Sequence, residues 1–195
     1  VTSTDNPGAS FNVGTTTVTY TATDAANNSV TTSFTVTVVD NESPTIAGNP
    51  GDLSASNDAG NCSAAVSWTA PTASDNCSQT LTSTHSPGDT FAVGTTTVTY
   101  TSTDAANNTA TISFNVVVTD TEAPVISAMS DMTVSTDPGT CDAVVTFTDP
   151  AATDNCAIST LTADIASGST FSLGTTTVTY TATDIHGNSS TASFD

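Results

Sequence analysis

The seven residues GTTTVTY occur three times in this chain, at 14–20, 94–100 and 174–180, always 80 residues apart. A fixed period of that size sets the architecture before any local reading, because each period is one folding unit packed against its neighbours. The flanks repeat as well. Phe11, Phe91 and Phe171 each stand three residues before the glycine, and the motif continues as TYTATDAANN, TYTSTDAANN and TYTATDIHGN. A second block recurs at spacing 79: NCSAAVSW (61–68) against TCDAVVTF (140–147), and ASDNC (73–77) against ATDNC (152–156). The one-residue slip falls between Cys156 and Gly174, where a loop absorbs it and a strand register would not. The period divides the chain into the C-terminal part of one repeat (1–39), a complete repeat (40–119) and a repeat lacking its final strand end (120–195). The whole reads as a window on a longer array.

Within a repeat the hydrophobic pattern has a period of two. In TVTYTAT, Val18, Tyr20 and Ala22 point one way and the threonines the other; in TTSFTVTV, Phe34, Val36 and Val38 do the same. Such alternation in β-branched and aromatic residues predicts half-buried antiparallel strands. Ala64, Val66 and Trp68 predict another strand, matched by Ala143, Val145 and Phe147. Turn signals separate the strands at Pro87-Gly88, Asp58-Ala59-Gly60 and Ala106-Asn107-Asn108. No segment has helical periodicity. The expected fold class is all-β, with immunoglobulin-like sandwich repeats of about 80 residues in an extended tandem array.

Charge narrows the function. The chain has no lysine or arginine against 19 acidic residues, a formal charge of −19, where roughly 20 basic residues would be ordinary. Nucleic acid and anionic membrane both require cationic contacts, so neither is expected as a partner. Acidic chains are often disordered, but here 36% of the residues are hydrophobic and regularly placed. Neither histidine, His85 or His186, has a companion nucleophile or second imidazole, and no catalytic motif is present, so no enzyme is expected. Four cysteines at matched places, Cys62 and Cys77 in one repeat and Cys141 and Cys156 in the next, suggest disulfides and an oxidising compartment.

The combination of DNC, GTTTVTYTATDAANN, a strand like SFTVTV, and then DNESPTI or DTEAPVI resembles the hyalin repeat (HYR) domain, in its bacterial type. The resemblance implies an extracellular immunoglobulin-like module used in tandem in adhesive or structural proteins, with no catalytic residues. It departs from the pattern at Asn49-Pro50 and Ile112-Ser113-Phe114, where many bacterial members carry cysteines. Set against that pattern, the surviving cysteines imply the bonds Cys62–Cys77 and Cys141–Cys156. A strand over Ala64–Trp68 would hold the first pair about 16–20 Å apart, beyond the ~7 Å a disulfide spans. Either the Pro71–Asn76 loop folds back along the strand, or the bonds run between neighbouring repeats.

The only glutamates, Glu42 and Glu122, stand in DNESP (40–44) and DTEAP (120–124), after the last strand of one repeat and before the first of the next. Proline stiffens the exit from each joint, and the D-x-E-x-P spacing resembles the calcium-binding linkers of cadherin-type domains. In a sandwich of this topology the linker shares a pole with the B–C and F–G loops. Asp40, Glu42, Asp75 and Asp104 are then expected to converge at one joint, and Asp120, Glu122, Asp154 and Asp184 at the next. Carboxylates so gathered repel one another, and calcium, which takes several oxygens in flexible geometry, is the expected cofactor. The alternative is that each aspartate caps its own turn without a metal.

These readings converge on a structural segment of a secreted or cell-surface filament or adhesin stalk. Its expected partners are neighbouring repeats and other copies in a fibre, with no direct membrane insertion. The alternative is an extracellular module that recognises a glycan or a protein receptor through its loops.

Overall fold

The computed structural model describes residues 1–195 and contains strands and turns only. No helix is long and apolar enough to cross a membrane. Two compact units emerge: Val1–Asn49 with Pro71–Thr84 and Thr99–Ile112, and Pro50–Ala70 with His85–Val98 and Ser113–Asp195. The strands Gly94–Asp104 and Thr109–Thr119 pass through both.

In the first unit a ten-residue ladder joins Gly14–Thr23 to Ser29–Val38, from Gly14 opposite Val38 to Thr23 opposite Ser29. Thr2–Ser3 pairs on the other side of Gly14–Thr23. The alternation places Val18 and Phe34 opposite each other on one face. Val18 is buried, but Phe34 remains half exposed, stacked on Tyr20 at 6.3 Å. The same unit contains the Thr45–Ala47 and Thr72–Ser74 pair and the ladder between Gln79–Ser83 and residues 100–104. Tyr100, Ser102 and Asp104 point inward there, Ser102 donating its hydroxyl to Gln79 Oε1.

In the second unit Leu53–Ser56 runs parallel to residues 116–119, and Ser63–Ala65 pairs antiparallel with Thr90–Ala92. Ala64, Val66, Phe91, Val98, Phe114, Val116 and Val118 are buried, and the half-buried indole of Trp68 meets Phe114 edge-on at 5.3 Å. The third repeat lies wholly in this unit. Its three-stranded sheet, Ile158–Ala163, Val178–Asp184 and Ser189–Phe194, brings Val178, Tyr180 and Phe194 into a core with Ile126, Met129, Phe147, Leu161 and Phe171. Two short pairs form the opposing layer: Val125–Ile126 with Ala152–Thr153, and Asp142–Val145 with Ser169–Ser172. Each fully buried valine or phenylalanine contributes about 1.5–3 kcal/mol, so the alternating strands supply most of the drive to fold.

Two details explain or correct the sequence reading. The glycine opening each motif has φ of +119°, +122° and +129° at Gly14, Gly94 and Gly174. No side-chain-bearing residue adopts that backbone readily, so the corner before the strand dictates glycine in every copy. The strand expected over Ala64–Trp68 is shorter, ending at Ala65, and its counterpart Asp142–Val145 ends before Phe147. Beyond Ala65 the chain no longer continues the ladder: Val66 N donates to Asp89 O, Val66 O accepts from Gly88 N, and the chain turns Trp68 onto Phe91 and Phe114.

Candidate metal centres at the repeat joints

The turn after each GTTTVTY strand is built by an Asp-x-x-x-Asn pair. Asp104 Oδ1 accepts the Asn108 N–H at 2.7 Å and Oδ2 accepts Asn108 Nδ2 at 2.7 Å. Asp184 and Asn188 repeat this arrangement, as do Asp24 and Asn28. The asparagine then reaches across the joint: Asn108 Nδ2 donates to Asp40 O at 3.2 Å, and Asn188 Nδ2 donates to Asp120 O at 3.3 Å. One aspartate–asparagine pair therefore closes its own turn and fixes the linker entering the same repeat.

At the first joint Asp40 is buried and its Oδ1 accepts the Glu42 N–H at 3.1 Å. Asp75 Oδ2 accepts the Cys77 N–H at 2.9 Å. Carboxylate oxygens of Asp40 and Asp75 and the Cys77 sulfur lie within 4.8 Å of one another. The second oxygens, Asp40 Oδ2 and Asp75 Oδ1, are buried without a hydrogen-bond partner of good geometry. The Cys77 S–H, a weak donor, leans toward Asp40; this and the Glu42 N–H hold Asp40 below the ordinary carboxylate range against the effect of burial. In return Asp40 pushes the Cys77 thiol up to about 11. Asp104 is buried but committed to its turn and stands outside the group, and Glu42 is exposed.

At the second joint Asp120, Asp154 and Asp184 bring carboxylate oxygens within 4.8 Å of one another. Asp120 and Asp184 are 4% and 2% exposed, so like charges meet here with little water between them. Asp120 Oδ1 accepts from Glu122 N and Asn155 Nδ2, and its Oδ2 lies 3.1 Å from His186 Nδ1. Asp154 Oδ2 accepts the Cys156 N–H, while Asp154 Oδ1 and Asn155 Oδ1 are buried without partners. Burial pushes the Asp184 carboxyl up, but the Asn188 amide and the N–H groups of His186, Asn188 and Gly187 outweigh it and hold it below the ordinary range. Glu122 is turned elsewhere: its Oε1 accepts Asn57 Nδ2 at 3.1 Å and Gly60 N at 2.7 Å, gripping the lower turn of the preceding repeat.

That lower turn also bears the disulfide. Cys62 is bonded to Cys156, 94 residues away in the next repeat, and Cys77 and Cys141 are free. The expected pairs Cys62–Cys77 and Cys141–Cys156 are thus corrected. Cys62 follows the Asp58–Gly60 turn at the lower end of its repeat, and Cys77 follows Asp75 at the upper joint; no fold-back of the intervening loop brings them together. Asn155 Nδ2 reinforces the link by donating to Asn61 O at 3.0 Å. His186 lies in the turn that follows Val178–Asp184, and from there its ring faces Asp120. The only sequence signal for it is that an imidazole replaces Ala26 and Ala106 of the other copies.

Comparison with known proteins places the chain. The HYR domain family model matches residues 1–38, 39–118 and 119–195. Hyalin of Strongylocentrotus purpuratus is 41% identical over 96% of this chain, and hyalin of Lytechinus variegatus 40% identical over 97%. The chain spans 16% and 37% of the length of these two relatives. Both are animal proteins, so the bacterial type given with the family resemblance finds no support. Among solved structures, the protocadherin GammaB4 extracellular domain aligns over 93% of this chain and 37% of its own, at 16% identity and a TM-score of 0.39.

Proposed function

Because the chain belongs to the HYR domain family, we propose that it is a structural stretch of an extracellular or cell-surface adhesive protein, with calcium stiffening the joints between its repeats. The reading assigns no reaction to the modules. They set spacing and transmit load, and the joints decide whether the array bends.

The observation that carries the calcium reading is the set of buried, unpartnered oxygens, Asp40 Oδ2, Asp75 Oδ1 and Asp154 Oδ1. A buried carboxylate oxygen left without a donor costs stability. Here several point into the same acidic groups, where a cation would satisfy them together. The donor set is almost all oxygen, as calcium prefers. Asp40 and Asp75 would hold the ion at the first joint, and Asp120, Asp154 and Asp184 at the second, with Asn155 Oδ1 as a neutral oxygen. A bound calcium would supply charge neutralisation and a fixed bridge between linker and loop. Asp104 and Glu122 would act around it: Asp104 as a turn brace, and Glu122 as a clasp on the preceding repeat.

Thermal melting in EDTA and in calcium tests this reading. At a free calcium concentration about 100 times Kd, binding to the folded state alone adds about 2.7 kcal/mol, so the melting temperature is expected to rise on adding calcium. Sodium chloride at matched ionic strength serves as the control. Identical melting curves in EDTA and calcium would remove the ion from the account and leave the aspartates as turn caps.

A further inference from the structure

The bridge Cys62–Cys156 has both of its halves copied elsewhere in the chain. Cys141 stands 79 residues after Cys62, and Cys77 stands 79 residues before Cys156; both are free thiols. The copies sit in the same frames as the bonded residues. Cys62 O accepts from Val93 N at 3.2 Å, and Cys141 O accepts from Leu173 N at 3.1 Å. Cys77 N and Cys156 N each donate at 2.9 Å to the aspartate two residues earlier.

We propose that Cys77 and Cys141 are half-sites of a periodic covalent staple, each taking the complementary cysteine of another repeat of this kind. Cys77 takes a cysteine in a lower turn like that of Cys62; Cys141 takes one in an upper loop like that of Cys156. The bond seen between the middle and third repeats is the pattern itself. A cavity of about 560 Å³ beside Cys77 supports the pairing independently, lined by Phe11, Asn12, Val13, Asp40 and Ser78. Val13 is the equivalent of Val93, whose N–H donates to Cys62 O, so the cavity is lined by Val13 and Cys77, the equivalents of the two residues, Val93 and Cys156, that hold Cys62 at the other joint. Glu42, whose N–H donates to the lining residue Asp40, is exposed, whereas Glu122 is held by the turn that carries Cys62. An incoming turn of that kind would fill the cavity and engage the glutamate in one step.

Forming each bond removes one proton from each thiol and two electrons in total. These pass to a disulfide oxidant, oxidised glutathione or an oxidoreductase disulfide, which is reduced to two thiols. The staple depends on the tandem architecture and not on calcium, so a melting curve indifferent to calcium leaves it standing.

The test is disulfide mapping of the native protein, isolated with its neighbouring repeats, blocked with N-ethylmaleimide and digested unreduced with pepsin at acid pH, since the absence of lysine and arginine denies trypsin a site. The expected peptides join Cys62 to Cys156, and join Cys77 and Cys141 each to a cysteine of another repeat, without maleimide on either. Non-reducing electrophoresis locates the partner, a single-chain mass placing it in the same polypeptide and a ladder of multimers placing it in another molecule. In the 195-residue chain alone, two maleimides are expected, on Cys77 and Cys141. Maleimide on Cys77 or Cys141 of the native protein, or recovery of Cys62–Cys77 or Cys141–Cys156, would overturn the proposal.

Discussion

Tyr180 shows how one residue position can do different work in equivalent repeats. It is the tyrosine of the third GTTTVTY copy, 2% exposed, and its hydroxyl donates to Asp149. Burial, and then the adjacent carboxylate, push its pKa up to about 12 from an ordinary 10.0. Because the folded-state value is the higher one, the associated stability is complete below pH 10 and is lost as pH rises toward 12. Absorbance titration should therefore show late ionisation of Tyr180, coinciding with alkaline loss of the third repeat. Asp149→Asn should move that transition toward 10, and Tyr180→Phe should abolish it; a late transition surviving in Tyr180→Phe would reject the assignment. The inward direction of this tyrosine is legible from alternation alone. Its partner is not, because Ala70 stands at the matching place in the middle repeat, and a repeat pattern reveals only what repeats.

At the scale of the strand, alternation makes a sharper claim: neighbouring residues of one strand should differ greatly in energetic weight. Val98 is 0% exposed, while Thr95 in the same motif faces water. Val98→Ala removes two buried methyl-sized groups and leaves a cavity, at a cost of about 2 kcal/mol. Thr95→Ser should stay within about 0.5 kcal/mol. Thermal melting reads the contrast, with ~4–8 °C expected for the first and little for the second; equal shifts would mean the strand is not embedded as described. Periodicity fixes which face of a strand is buried, and it did so for the GTTTVTY strands. It cannot say where a ladder stops, since that depends on a partner distant in sequence. Ser63–Ala65 ends early for this reason, Val66 pairing with Gly88 and Asp89 instead of extending the strand. The same limit hid the disulfide, whose two ends are separated by 94 residues.

For the molecule as a whole, the dominant electrostatic fact is legible in composition: 19 acids with no lysine or arginine. The sole charge-pairing contact is His186 with Asp120, and it pairs charges only when the imidazole is protonated. Nearly every other charge interaction is therefore repulsive, and two groups of them are concentrated at the joints. The residue types and the joints were readable because DNESP and DTEAP recur at the period. The division of labour was not, because Glu122 and Asp104 look like ligands in sequence, while one clasps a turn and the other braces its own loop beside the cluster. A chain held by ion pairs is weakened or unchanged by salt, whereas one strained by like charges is strengthened, as the screening length falls from about 30 Å at 0.01 M to about 8 Å at 0.15 M. The melting temperature in EDTA should accordingly rise with sodium chloride across that range, before any calcium is added. Calcium at equal ionic strength should raise it further, since a bound ion neutralises the buried aspartates that mobile sodium only screens. A flat or falling response to sodium chloride would show that attractive contacts offset the acidic surplus, and the electrostatic case for cations at the joints would fall with it.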